Sequence, residues 1–182
     1  MKIISISGSL RARSSTAAVL RAAGAVAPVG IEFVIYDRLG ELPHFNPDLD
    51  GEGASSPAPV AELRALLDGA DAVLICSPEY AHGPPGSLKN ALDWLVSSTA
   101  LSDKALGVIT ASPTGGEHAH ASLLEVLRTM SARIVPGACL RLVWSRSHLD
   151  GNGEVSDPSL LAALRRSVDD LVTGAREPLS TG

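Results

Sequence analysis

The run "AVLIC" (72–76) is apolar at every position, and "LGVIT" (106–110) nearly so. Successive side chains of a β-strand point to opposite faces, so a strand that is apolar at both parities needs cover on both sides. Parallel strands flanked by helices meet that need, and the rest of the chain alternates accordingly. "KIISIS" (Lys2–Ser7) and "IEFVIY" (31–36) read as strands. "DAVLICS" (71–77) and "KALGVIT" (104–110) are the central ones. "RIVPGACLRLVW" (133–144) reads as a fifth strand, interrupted or preceded by Pro136-Gly137.

Helical segments fall between these strands. Residues 15–27 are rich in Ala, Leu and Val. "PVAELRALLDGA" (59–70) is a short helix with Gly69 expected at C′. Residues 86–98 carry Leu88, Leu92 and Leu95 at i, i+4 and i+7, and residues 116–132 form the next helix. "DPSLLAALRRSVDDLV" (157–172) opens with Asp157 as N-cap and Pro158 at N1, and its apolar face is expected to be Leu161, Leu164, Val168 and Leu171. Residues 37–60 are polar and rich in Pro and Gly. They read as one long loop, of the kind that is usually functional or mobile. Five strands alternating with helices specify a doubly wound α/β sandwich, expected as a single domain over residues 1–182.

Composition narrows the function classes. With 45% hydrophobic residues over 182 positions, the chain is globular rather than disordered. The net charge of −5 leaves no evident basic face, which argues against nucleic acid as a partner. No apolar run approaches the ~20 residues of a membrane span. "MKIISISGSL" alternates too strongly to read as a signal peptide. Cys76 and Cys139 lie in apolar runs and read as small core residues in a reducing cytoplasm.

In open parallel sheets, ligands bind beyond the carboxyl ends of the strands, where the strand order reverses. The loop after the first strand, "SGSLRARSST", offers hydroxyls at Ser9, Ser14, Ser15 and Thr16 and a forked cation at Arg11. It leads into a helix N-terminus, which favours an anion, and together these form a phosphate cradle. The glycine spacing is neither G-x-G-x-x-G nor G-x-x-x-x-G-K-[ST]. The loop after the third strand carries Pro78, Glu79, Tyr80 and Ala81. The loop after the fourth carries Ser112 and the flexible pair Gly115-Gly116. His82, His118 and His120 are expected at the solvent or at a ligand rim rather than on a metal, because two-residue spacing does not put His118 and His120 on one helix face. No G-x-S-x-G elbow supports a serine hydrolase.

"GSLRARSST" (8–16) and "PEYAHGPPGSLKNALDW" (78–94) resemble the two signature stretches of the NADPH-dependent FMN reductase family, G-S-L-R-x-x-S-x-N and P-E-Y-N-x-S-x-P-G-x-L-K-N-A-[IL]-D-W. The resemblance implies a flavodoxin-like three-layer sandwich with a five-stranded parallel sheet in the order 2-1-3-4-5. It implies FMN as cofactor and NADPH or NADH as electron donor. A quinone, free flavin or other small molecule would be the acceptor, and the setting would be cytoplasmic. Ser9, Arg11, Ser14, Ser15 and Thr16 would hold the phosphate. Pro78, Glu79, Tyr80 and Ala81 would border the isoalloxazine, and Ser112, Gly115 and Gly116 its other edge. The flavin carries the chemistry, so no catalytic side chain is expected. A homodimer or homotetramer is implied, with the helix 86–98 in its interface. The alternative is a non-enzymatic electron carrier of the same fold. Thr16 and Ala81 stand where the family pattern has Asn, and Gly83 where it has Ser.

Overall fold

β1 (Lys2–Ser7) lies between β2 (Glu32–Tyr36) and β3 (Ala72–Ser77), parallel to both. The order therefore reverses at β1: the chain steps to one side for β2, then crosses back for β3. In the computed structural model, which describes residues 1–11, 13–51 and 56–178, β3 pairs in turn with β4 (Ala105–Ser112), and β4 with β5 (Arg133–Ile134). The order β2-β1-β3-β4-β5 is the flavodoxin-like one that the sequence implies.

The pleat sorts the core into two layers. Ile4, Ile6, Val73, Ile75, Leu106 and Val108 pack under α2 (Ala58–Asp68), α3 (Gly86–Leu95) and α4 (Glu117–Thr129). Ile3, Leu74, Cys76 and Ile109 pack under α1 (Ser15–Ala25) and α5 (Pro158–Arg176). All six residues of β3 and all eight of β4 are buried, the two-sided cover that their composition demands. Each fully buried Leu, Ile or Val contributes about 1.5–3 kcal/mol of transfer free energy.

The expected fifth strand is two segments. β5 pairs with Ala105 and Leu106, and β6 (Leu140–Val143) pairs with Ile109 through Ser112 on the same edge of β4. Between them, Pro136–Ala138 forms a 3-10 turn, because Pro136 has no amide proton for the ladder. The turn fits because its partner is Gly107, where a Cβ would lie 2.8 Å from the Ala138 carbonyl oxygen. The helices also end earlier than the pattern suggests, at Ala25, Leu95 and Thr129. Gly69 is the C-cap of α2 itself, with φ −78°, rather than a left-handed C′ residue. On α5, Leu164, Val168 and Leu171 are fully buried as expected, but the fourth apolar position is taken by buried Leu160, and Leu161 is only half-buried. Among the described residues no helix is long and apolar enough to cross a membrane.

The 37–60 segment is not a free loop where it is described; residues 52–55 lie outside the described residues. The Trp94 indole and the Asn90 amide both donate to the Pro43 carbonyl, at 2.8 and 2.9 Å. The Asn90 oxygen accepts from the Phe45 amide at 2.8 Å, and Phe45 meets Trp94 edge-on at 5.1 Å. Further along, Arg64 pairs with Asp50 at 2.7 Å and donates to the Trp94 carbonyl, Ser56 and Ser97. Burial alone would raise the Asp50 pKa, but hydrogen bonds from Ser97 and Arg64 outweigh it and hold the carboxyl below its ordinary value. The "LKNALDW" stretch thus clamps a distant loop onto α3. Leu88, Leu92, Trp94 and Leu95 are all buried in this chain's own core, so they offer nothing to a partner subunit.

Because Asn90 and Trp94 share one acceptor, their contributions are expected to overlap. Asn90→Ala and Trp94→Phe should each cost about 1 kcal/mol or more in urea unfolding, and the double variant should differ from their sum by at least about 0.5 kcal/mol. Strict additivity would show that the two donors act independently.

Candidate active site

The carboxyl ends of β1, β3, β4 and β6 open onto one cleft of about 970 Å³, at the reversal point of the sheet. Ser9, Arg11, Ser14 and Ser15 line it from the first loop, Pro78, Glu79 and Tyr80 from the second, and Ser112 from the third. Eight of the residues singled out from the sequence therefore meet at one place, although they come from three separate loops. Thr16, Ala81, Gly115 and Gly116 do not line the cleft.

The first loop is braced by its own hydroxyls. Thr16 is fully buried, and its Oγ1 lies 2.9 Å from the Ser7 hydroxyl and 3.0 Å from that of Ser14. Ser14 is the N-cap of α1, its Oγ accepting from the Ala17 amide at 3.1 Å. Both side chains are thus occupied in shaping the turn. The groups left to face a ligand are Ser9, Ser15, Arg11 and the opening turn of α1. A helix start presents amides that lack intrahelical acceptors, and these with Arg11 suit a phosphate. Arg13 lines the cleft as well, so Arg11 is not the single cation of this loop.

The second loop leaves β3 through buried Pro78, and Glu79 then turns away to cap α4. Its Oε2 accepts from the Ala119 amide at 2.8 Å, placing a negative charge at the positive end of that helix. Residues 80–83 close a tight turn in which Tyr80 and Gly83 exchange amide–carbonyl bonds at 2.9 Å. Ala81 and His82 sit inside it at φ 48° and 61°, both in the left-handed region. The Asn of the family pattern tolerates that region better than Ala does, so Ala81 carries a cost of about 1–2 kcal/mol. Tyr80 projects half-exposed at the cleft.

In the third loop Ser112 accepts from the Gly115 and Trp144 amides through its carbonyl, at 3.0 and 2.8 Å. Gly116 is the N-cap of α4 at φ 61°, and a Cβ there would lie 2.3 Å from Thr110 Cγ2. Its requirement is close packing rather than ligand contact. The histidines separate into two settings. His82 and His118 are exposed and touch edge to face, 4.3 Å between centroids. His120 is neither solvent-exposed nor at the rim: it is buried, with Nδ1 2.9 Å from the Thr110 hydroxyl.

A fourth wall was not anticipated. Trp144, Arg146, Leu149 and residues 150–153 also line the cleft, joined by Pro113 and by Arg21 of α1, which bonds Glu154. The rule that points to loops after parallel strands applies to this one too, since it follows β6. The sequence reading ends that strand at Trp144, one residue from the observed Val143, but takes only the loops after the first, third and fourth strands as ligand loops.

Burial, reinforced by the nearby Arg141 charge, pushes the His120 pKa below its usual value of 6.5. The unfolded chain then takes up this proton before the folded one does. Stability from His120 is full above about pH 6.5 and falls as pH drops through the folded-state value. His120→Gln should flatten the stability difference between pH 7.5 and pH 5 in denaturant melts. Equal pH slopes in both proteins would remove His120 as the cause.

Comparison with known proteins places this geometry. The profile of the family described as NADPH-dependent FMN reductase matches residues 1–142. A probable NADPH:quinone oxidoreductase 2 of Oryza sativa is 29% identical over 171 residues, covering 91% of this chain and 84% of that protein. A quinone reductase of Escherichia coli K12 is 30% identical over 139 residues, 74% of this chain and 73% of its own. Among solved structures, the flavoenzyme NAD(P)H:(acceptor) oxidoreductase FerB of Paracoccus denitrificans superposes with a TM-score of 0.85 at 28% identity, over 96% of both chains. An oxidised flavodoxin of Bacillus cereus, 15% identical, shares the fold with a TM-score of 0.61. With its signature loops converging on one cleft and the profile spanning most of its length, the chain belongs to the NADPH-dependent FMN reductase family and is an oxidoreductase.

Proposed function

We propose that the cleft holds FMN and that the protein is an NAD(P)H-dependent quinone- or flavin-type reductase, working as one FMN-binding domain in the cytoplasm. The observation that carries this reading is the meeting of Arg11, Ser9, Ser15 and the N-terminus of α1 with the Pro78–Tyr80 and Ser112 loops in a single cleft. The donor set fits the cofactor, because arginine side chains and hydroxyls beside a helix start suit a phosphate. Bound there, FMN supplies hydride uptake from the nicotinamide and electron delivery to the acceptor. The protein orients it. Arg11 and the α1 amides hold the phosphate end, while Pro78, Tyr80 and Ser112 wall the ring end. Glu79 keeps its carboxylate on the Ala119 amide, which fixes the second loop against α4. Family membership favours the enzyme over the electron carrier.

A homodimer or homotetramer belongs to the same proposal. Its support is the family resemblance and not the α3 stripe, which this chain's own core buries. No nucleic-acid partner is proposed, in keeping with the net charge of −5.

Two measurements test the reading. Purified protein loaded with FMN should bleach in the visible when NADPH or NADH is added without oxygen, and a quinone should restore the colour; a flavin that stays oxidised overturns the enzyme reading. In fluorescence titrations, Arg11→Ala should weaken FMN binding roughly ten- to a hundred-fold, the loss of about 1.5–3 kcal/mol for a charge-assisted bond, while riboflavin binding should scarcely change. Equal weakening of both flavins would mean that Arg11 holds the loop and not the phosphate.

A further inference from the structure

We propose that Glu79 is a positioning residue for the flavin ring: by capping α4 from outside the helix, its side chain holds the 79–83 wall of the cleft at a fixed spacing from the wall that carries Ser112. The inference rests on the flavin reading above and deepens it at the ring end.

α4 cannot cap itself. An N-cap Ser, Thr, Asp or Asn accepts from the second or third helical amide, which has no acceptor inside the helix. The N-cap of α4 is Gly116, at φ 61° and with no side chain to offer. Nor is there room for one, since a Cβ at Gly116 would lie 2.3 Å from Thr110 Cγ2. Ala119 is the third residue of α4, so its amide is one of the two that an N-cap side chain would take. Glu79 takes it instead, through Oε2 at 2.8 Å and from 40 residues away. The close packing of Gly116 on β4 thus makes the helix depend on the second loop for its cap.

The same bond holds the loop. Tyr80 and Gly83 bond each other within the turn. Among the described residues, Glu79–Ala119 is the one hydrogen bond that ties residues 79–83 to another element. The edge-to-face contact of His82 with His118 joins the same two elements beside it. The first turn of α4 is itself anchored to the sheet. His120 Nδ1 lies 2.9 Å from the Thr110 hydroxyl in a buried contact, and Thr110 is two residues before Ser112 on β4. Glu117 pairs with Arg141 of β6 at 3.2 Å. Glu79 therefore passes the position of β4 to the second loop, where its neighbours Pro78 and Tyr80 face the same cleft as Ser112. Its oxygen is engaged with the helix, so its effect on a ring between the two walls runs through α4.

The test separates reach from charge. Glu79→Gln keeps the reach and an acceptor oxygen but loses the charge; Glu79→Asp keeps the charge but falls one methylene short. Fluorescence titration gives the affinity of each protein for FMN and for riboflavin, and amide hydrogen exchange of the flavin-free protein reports the Ala119 N–H directly. Glu79→Asp should weaken both flavins about ten-fold or more, the loss of one hydrogen bond to a charged acceptor, and should speed Ala119 exchange by a similar factor. Glu79→Gln should stay within about three-fold of wild type on all three readouts. The reverse order, with Gln weak and Asp intact, would make the charge the agent and overturn the inference. Faster Ala119 exchange with both flavin affinities unchanged, the mark of a helix cap with no bearing on the cleft, would overturn it as well, as would no change in either variant. Weakening of FMN alone would place the effect at the phosphate and has the same consequence. Wild-type protein that takes up neither flavin sinks the flavin reading, and the positioning role with it, before any variant is made.

Discussion

β1 pairs with β2 on one edge and β3 on the other, and that reversal places everything that borders the cleft. The connections leaving β1 and β3 must diverge, because one helix goes to each face of the sheet, and the space between them cannot be filled by either. Solvent-facing loop ends from four strands therefore converge without any contact being designed for convergence. The reversal itself is stable because β3 and β4 are apolar on both faces and are covered by α2, α3 and α4 on one side and by α1 and α5 on the other.

Within that frame, polar side chains near the cleft divide into those that shape it and those that face it. Ser14, Thr16 and Glu79 are short of neither donors nor acceptors: a helix cap, a buried hydroxyl chain and a remote cap of α4 occupy them. The arginines face outward because a guanidinium is costly to bury without a partner. Departures from the family pattern fall on the shaping side. Thr16 keeps a hydroxyl where the hydroxyl chain needs one, and Ala81 retains a left-handed turn at a conformational cost.

The long motif beginning at Pro78 serves two ends of α3 at once. Its first half presents a stiff loop to the cleft. Its second half, through Asn90 and Trp94, clamps the Pro43–Phe45 segment, and Arg64 completes the closure against Asp50. The second half, expected in a subunit interface, is instead a device that holds an otherwise unsupported connection. The polar composition of residues 37–60 suggested mobility because each residue was weighed alone, and the hydrogen bonds that order them come from helices far along the chain.

Local chemistry was legible wherever one stretch of sequence decides the outcome. The two-sided apolar strands, Pro158 at the start of α5, the capping Asp157 and the loop carrying Arg11 all follow from neighbours in the chain. Period and propensity are local properties, so the alternation of strand and helix was fixed by sequence alone. What needed the tertiary structure were contacts between residues far apart in sequence. The break at Pro136 was legible, but that both pieces of the edge strand stay on β4 depends on Gly107 accepting the 136–138 turn. The burial of His120 depends on Thr110, and the fourth wall of the cleft depends on where β6 ends against Ser112. Pairing of distant segments is set by packing, to which no single stretch of sequence has access.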